Sequence, residues 1–168
     1  PFYEPGLGEL VKSSLDKGNL HFTTSYEEAI KDADVIMIAV GTPSAADGQA
    51  DLKYVFAAAE SLAPYLKKNA IVAIKSTVPP GTNSKVAEKI AALTQQKFYT
   101  ASLPEFLKEG SAVQDALHPD RVVVGAVETE VIEKLKELHK PLNAEMIVMK
   151  PESAQMCKYA ANAYLATR

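Results

Sequence analysis

The chain has a single cysteine, Cys157, among its 168 residues, so no disulfide can form within it and a zinc site built of cysteines is excluded. Long hydrophobic runs are also missing. The longest, Val35 to Val40, falls far short of the roughly 20 apolar residues that a membrane span requires, and nothing at the start reads as a signal peptide. No charge sign is in excess: 18 Lys and Arg against 21 Asp and Glu leave a net charge of −3, with the signs interspersed. That balance argues against a nucleic-acid partner or an anionic membrane held by bulk electrostatics, and still allows a local cationic site for a phosphate. Internal repeats and low-complexity stretches are absent. A reducing, cytoplasmic setting is expected. The chain also lacks an initiator methionine: it starts at Pro1 and stops at Arg168 inside what reads as a helix, so an internal fragment is expected.

What is present is the composition of a globular protein, 47% hydrophobic and 23% charged. The length is that of one ordinary domain, which buries roughly two thirds of its unfolded surface. The hydrophobic pattern alternates in type along the chain. His21-Phe22-Thr23 reads as a short strand, and Ser25 to Ile30 as a capped helix start with Glu28 three residues after Ser25. Asp34 to Val40 is continuously apolar after its first residue, the pattern of a strand buried on both faces.

Asp51 to Lys68 carries Val55, Ala58, Ala59, Leu62 and Leu66 at helical spacing. Ala70 to Lys75 reads as a second buried strand, Ser84 to Leu93 as a helix, and Lys97 to Ala101 as a strand. Arg121 to Val124 and Glu145 to Met149 read as further strands around a helix from Glu128 to His139. An alanine-rich helix follows from Pro151, a residue accepted in a first helical turn. Alternation of this kind implies an α/β fold with a mostly parallel sheet, whose ligands sit at the carboxyl ends of the strands.

Three loops fall on that edge. Val40-Gly41-Thr42-Pro43 offers a glycine for close backbone approach and a hydroxyl at the loop mouth, but by itself reads first as a plain connection. Lys75-Ser76-Thr77-Val78-Pro79-Pro80-Gly81-Thr82 places hydroxyls on a proline-stiffened backbone, suited to orienting a ribose, an amide or a water, or simply to capping the next helix. Ser102 to Ser111 puts Glu105, Lys108 and Glu109 around Phe106. Glu105 is a candidate general base if desolvated, although a solvated charged turn has the same composition. On the last helix Lys158 and Asn162 share a face and can meet an oxyanion, although a solvated helix face is the commoner reading, while Cys157 points about 100° away and reads as a small core residue. Gly6-Leu7-Gly8-Glu9-Leu10-Val11 is a poor match to a dinucleotide fingerprint, with no strand before it and Val11 in the third glycine's place. Tyr3-Glu4-Pro5-Gly6 reads better as a turn before a short helix.

Taken in series, these stretches carry a resemblance. Tyr3-Glu4-Pro5-Gly6-Leu7, Val40-Gly41-Thr42-Pro43, Lys75 to Pro79, Pro104-Glu105-Phe106-Leu107-Lys108-Glu109-Gly110-Ser111-Ala112-Val113, His118-Pro119-Asp120-Arg121 and Lys158-Tyr159-Ala160-Ala161-Asn162-Ala163 follow one another in order. The chain resembles the UDP-glucose 6-dehydrogenases of the UDP-glucose/GDP-mannose dehydrogenase family over essentially its whole length, with Gly110 to Arg121 nearest the UDP-glucose branch. The resemblance implies a Rossmann-like α/β fold lacking its first βαβ unit: a truncated NAD-binding domain over residues 1–150, then the start of a long central connecting and dimerisation helix over 151–168. It implies NAD as cofactor, UDP-glucose as substrate, a homodimer in the full-length protein, and two-step oxidation to UDP-glucuronate through a Cys-linked intermediate.

By the same resemblance Val40, Gly41, Thr42, Pro43 and Ser44 line the NAD site, and Ser76, Thr77 and Val78 approach its ribose and nicotinamide. Thr77 and Glu105 hold a catalytic water, with Glu105 as general base. Phe106, Leu107, Lys108 and Glu109 contact the UDP-sugar, Glu109 also lying near NAD. Lys158 and Asn162 stabilise the oxyanion developing at C6, as a preorganised ammonium and amide can. Leu103 stands where the family usually has asparagine, and Cys157 where threonine is common. The glycine fingerprint and the catalytic cysteine are expected outside these 168 residues, so the isolated chain is expected to be inactive. The other readings are a related dehydrogenase for UDP-N-acetylmannosamine or GDP-mannose, and a non-catalytic nucleotide-binding or dimerisation module.

Overall fold

The computed structural model describes residues 3–168, a five-stranded sheet with helices on both faces. The strands are β1 (Val35–Ile38), β2 (Ala70–Ile74), β3 (Phe98–Ser102), β4 (Arg121–Gly125) and β5 (Glu145–Met149), and they lie side by side in chain order. β1, β2 and β3 are mutually parallel, and so are β4 and β5. β3 and β4 are antiparallel and meet at one pair, Ser102 opposite Gly125. The helices are α1 (Leu7–Asp16), α2 (Tyr26–Ile30), α3 (Lys53–Leu62), α4 (Thr82–Ala91), α5 (Ala112–Leu117), α6 (Thr129–His139) and α7 (Pro151–Thr167).

β2 shows how sequence becomes layering. Every residue from Ala70 to Ile74 is buried. Ala70, Val72 and Ile74 face Val55, Ala59 and Leu62 of α3 and Val86 and Ile90 of α4, whereas Ile71 and Ala73 face Val131 and Leu135 of α6. The period of two in a strand divides one apolar run between two cores. Because neighbouring parallel strands are joined by right-handed crossovers, α3 and α4 share one face and leave the other to α6.

Two expectations change. The run through β1 is not buried on both faces: Ile36 and Ile38 are buried, but Met37 is 42% exposed. β1 is the edge of the sheet among the described residues, and the layer on α6's side takes in Val35 but not Met37. His21-Phe22-Thr23 forms no strand. Its polar side chains serve α2 instead: the Glu28 carboxylate bonds the His21 ring at 3.0 Å and the Thr23 hydroxyl at 2.6 Å, and Thr23 Oγ1 in turn accepts the Ser25 amide. Ser25 caps α2 as expected, its hydroxyl accepting from the Glu28 amide at 3.2 Å. The turn at Pro5-Gly6 does lead into a helix, α1, with Gly6 left-handed at φ 78°. α5 is a helix that the hydrophobic pattern did not reveal.

α7 comes very close to the sheet. A Cβ built on Gly125 would lie 2.7 Å from Ala154 Cβ, 2.8 Å from Pro151 Cα and 3.0 Å from Ser102 Cβ, so only glycine admits the helix at this spot. No helix among the described residues is long and apolar enough to cross a membrane, and no cluster of three or more His, Cys, Asp or Glu could hold a metal ion.

Candidate active site

The carboxyl edge of β1 and β2 is closed by hydroxyl staples. Ser76 Oγ accepts the Val40 amide at 2.8 Å and contacts the Val40 carbonyl at 2.7 Å and that of Ile38 at 3.3 Å. Thr42 Oγ1 donates to the Thr77 carbonyl at 2.9 Å. Val78 is buried in the core beneath. Ser76 and Thr42 thus fix the two loops to each other, and the edge offers a ligand its ordered backbone together with the acceptor positions left on these hydroxyls. Gly41 and Pro43 are exposed, and nothing within 4 Å would meet a Cβ at Gly41. An open strand-end backbone beside a stapled loop fits a dinucleotide lying across the edge.

The charged residues gather one strand further on. Lys158, on α7, places its ammonium 3.1 Å from Glu105 Oε1, with side chains 9% and 27% exposed respectively. The other Glu105 oxygen accepts the Leu107 amide. Phe106 is flanked by two cations, Arg121 with Cζ 4.8 Å and Lys158 with Nζ 5.5 Å from its ring centroid. A cavity of about 370 Å³ opens beside this cluster, lined by Met37, Lys75, Glu105, Phe106, Lys108 and Arg121 among others. Burial holds the Lys75 ammonium below the usual lysine range, an effect that Glu105 opposes and Lys158 reinforces. The carboxylate thus sits within reach of two ammonium groups, both partly withdrawn from water.

Beyond Phe106 the loop turns outward, with Leu107, Lys108 and Glu109 exposed. Asp115 of α5 holds its shape: one carboxylate oxygen accepts the Lys108 amide at 2.9 Å and the Ser111 hydroxyl at 3.0 Å. The Lys108 amide, ahead of the Ser111 hydroxyl and the Lys108 ammonium, keeps the Asp115 carboxyl below the ordinary aspartate range. Gly110, at φ 86°, supplies the left-handed turn into α5. Glu4, 8% exposed, closes the loop from outside, accepting the Gly110 amide at 3.0 Å and the Ala112 amide at 2.8 Å.

Among the residues expected at the site, the fold joins Glu105, Phe106 and Lys158, and separately joins Val40 and Thr42 to Ser76 and Thr77. Asn162 is exposed one turn beyond Lys158, Ser44 is exposed and bridges to Ala50, and Glu109 is exposed. Leu103 points into the core, 3% exposed, with its amide bonded to the Ile74 carbonyl at 2.9 Å. Cys157 is half-buried. Four contributors had no role assigned from the sequence: Glu4 and Arg121, which stand in the quoted motifs, and Gly125 and Gln155. Gln155 is 2% exposed and ties α7 to the start of α4, accepting the Gly81 amide at 3.0 Å and donating to Asn83 Oδ1 at 2.6 Å. A glycine ending a Val-Val-Val run was the one local signal, since a strand glycine marks close approach by another segment.

Comparisons with known proteins bear on the family and the fold. Residues 1–143 match the family model described as "UDP-glucose/GDP-mannose dehydrogenase family, NAD binding domain". A UDP-glucose 6-dehydrogenase of Pseudomonas aeruginosa is 47% identical over all of this chain and 39% of its own length, and one of Bacillus subtilis is 42% identical with the same coverage. The structure of a UDP-glucose dehydrogenase from the hyperthermophilic archaeon Pyrobaculum islandicum superposes with a TM-score of 0.94 at 46% identity, covering 98% of this chain and 39% of that one. A ternary complex of GDP-mannose dehydrogenase from Pseudomonas aeruginosa gives the same TM-score at 32% identity, covering 99% of this chain and 40% of that one. The chain thus spans about 39% of the length of the curated relatives it matches.

Proposed function

This chain belongs to the UDP-glucose/GDP-mannose dehydrogenase family, and on that footing we propose that it forms the NAD-binding part of a UDP-glucose 6-dehydrogenase. In this reading residues 1–150 carry the cofactor and residues 151–168 begin the connecting helix, along which a homodimer forms. The observation that carries the proposal is the Glu105–Lys158 contact of 3.1 Å, beside the cavity and one strand away from the stapled cofactor edge.

Bound NAD supplies the acceptor for hydride from C6 of the sugar. Val40 to Ser44 and Ser76 to Val78 present the backbone edge that holds it. Phe106, Leu107, Lys108 and Glu109 form the loop that grips the sugar nucleotide, with Lys108 and Arg121 as cations for its phosphates. Lys158 turns from Glu105 toward the oxygen that gains negative charge as C6 is oxidised, aided by Asn162. Such donors act most strongly where water is excluded. Glu105, released from the ammonium, takes a proton from a water that Thr77 helps to orient, as that water attacks the C6 acyl carbon of the Cys-linked thioester and the thiolate leaves, giving the carboxylate. Cys157 lies about 100° around α7 from Lys158 and takes no part, and the 168 residues alone are expected to give no turnover.

The test is NADH formation by the intact enzyme, followed with UDP-glucose, GDP-mannose and UDP-N-acetylmannosamine. UDP-glucose is expected to give the highest kcat/KM. A preference for GDP-mannose would install the second reading, which the equal superposition on GDP-mannose dehydrogenase keeps in play.

A further inference from the structure

We infer that Glu4 is a positioning residue for the sugar-nucleotide loop, acting through the backbone amides of Gly110 and Ala112; this rests on the reading that residues 106–109 grip the substrate. A carboxylate that is 8% exposed must find partners for its oxygens, and Glu4 uses one oxygen for each amide, at 3.0 and 2.8 Å. The two amides bracket Ser111, so the pair of bonds fixes both the position and the direction of the chain where the loop enters α5. The partners lie 106 and 108 residues apart in sequence. This tether therefore joins the loop to a different part of the molecule, whereas Asp115 binds the loop only to itself.

The loop needs such a tether. Leu107 to Gly110 are exposed and bury little apolar surface, which is the condition under which a segment opens locally. Glu4 is itself held where the chain enters α1, its carbonyl accepting the Leu7 amide at 3.2 Å. Charge-assisted bonds to backbone amides are about twice as strong as neutral ones, and an amide oxygen cannot serve as a charged acceptor for both. Glutamate is thus required for its charge and its two oxygens together.

The experiment compares Glu4→Gln and Glu4→Ala with the parent in the intact enzyme, using site-resolved hydrogen exchange and steady-state kinetics. Exchange protection at Gly110 and Ala112 is expected to fall at least about tenfold in Glu4→Ala and by less in Glu4→Gln. KM for the sugar nucleotide is expected to rise by about the same factor, with KM for NAD and protection at Val40 unchanged. A Glu4→Ala protein that fails to fold leaves Glu4→Gln to decide. Unchanged protection in Glu4→Gln would overturn the tether. Lost protection with an unchanged sugar-nucleotide KM would overturn the positioning role. If the parent itself shows no affinity for any sugar nucleotide, the proposed function fails, while the exchange result still reports on the tether.

Discussion

The loops that follow β1 and β2 and the loop that follows β3 sit on one edge of the sheet, yet they are ordered in opposite ways. The first two are stapled to each other by Ser76 and Thr42 across adjacent strands, over a buried Val78. The third starts in the core at Leu103, leaves it by Leu107, and is held by Lys158, Arg121 and Glu4 from three other segments, with Asp115 bracing it locally. Local hydroxyl staples make a rigid floor; long-range charged contacts make a loop whose placement depends on the rest of the fold. The floor should be sensitive to changes within it, and the charged loop to changes far from it.

The largest test strikes the charged loop from a distance. Gly125→Val would force Cβ and its methyls into Ala154 and the Pro151 backbone and push α7 from the sheet. Overpacking of this kind costs about 3 kcal/mol, read as a lowered urea midpoint at an unchanged slope. A crystal structure of the variant should show Lys158 withdrawn from Glu105, while the Val40 and Ser76 amides keep their exchange protection. Equal loss of protection on the stapled floor would erase the distinction between the two regions.

Next in size is an asymmetry within the ion pair. Glu105→Ala leaves an ammonium that is 9% exposed without its partner, whereas Lys158→Met leaves a carboxylate that is 27% exposed and can be reached by water. Stranding the more buried charge is worse. Glu105→Ala should cost about 2 kcal/mol and Lys158→Met about half of that, both measured by denaturant unfolding. The opposite order would mean that the ammonium finds other partners, and the pair would then hold the loop only weakly.

These contrasts also explain what could be read from the sequence. β2 was plain because five consecutive buried residues leave no alternative to a strand with cores on both sides. β1 carried an equally apolar run, but Met37 faces the cavity, since exposure is decided by what packs over a strand and not by its own composition. α5 was hidden because six residues give too little periodicity. The hydroxyls of Ser76 and Thr42, read as ligand groups, also staple the two loops to each other, which no local pattern announced. Glu105 and Lys158 were candidates by their chemistry, but their charges alone described a solvated turn and a solvated helix face equally well, and the family's wording singled them out. No local pattern could have paired Glu4 with Gly110, because that contact exists only after α1 and α5 are brought together.

A smaller effect sharpens the comparison from the other side. Ser76→Ala removes the partner of the Val40 amide and of the Val40 carbonyl. The loss should be about 1 kcal/mol, seen as faster exchange at Val40 and a weaker hold on NAD. KM for the sugar nucleotide should stay unchanged, because none of the contacts of residues 105–109 runs through Ser76. A rise in that KM would show the two regions to be coupled.

The smallest effect is the response to acid, which separates the regions by their chemistry. Asp115 titrates below the ordinary aspartate value, held there first by the Lys108 amide and then by Ser111 and the Lys108 ammonium. A folded-state pKa that is depressed contributes stability above the unfolded value, about 3.9, and that contribution disappears as pH falls through the lower, folded value. The hydroxyl staples have no such group. A carboxyl NMR titration should give Asp115 a midpoint below 3.9, with the Lys108 amide shift moving along the same curve and the Val40 and Ser76 amides flat across it. In Asp115→Asn the Lys108 curve should vanish. Because Glu28, Asp34 and Asp51 also have lowered values elsewhere on the surface, global acid unfolding would blend all four, and only the amide signals assign the loss to the loop. If Val40 titrated together with Lys108, the floor and the charged loop would form one cooperative unit, and the contrast between local staples and distant tethers would fail.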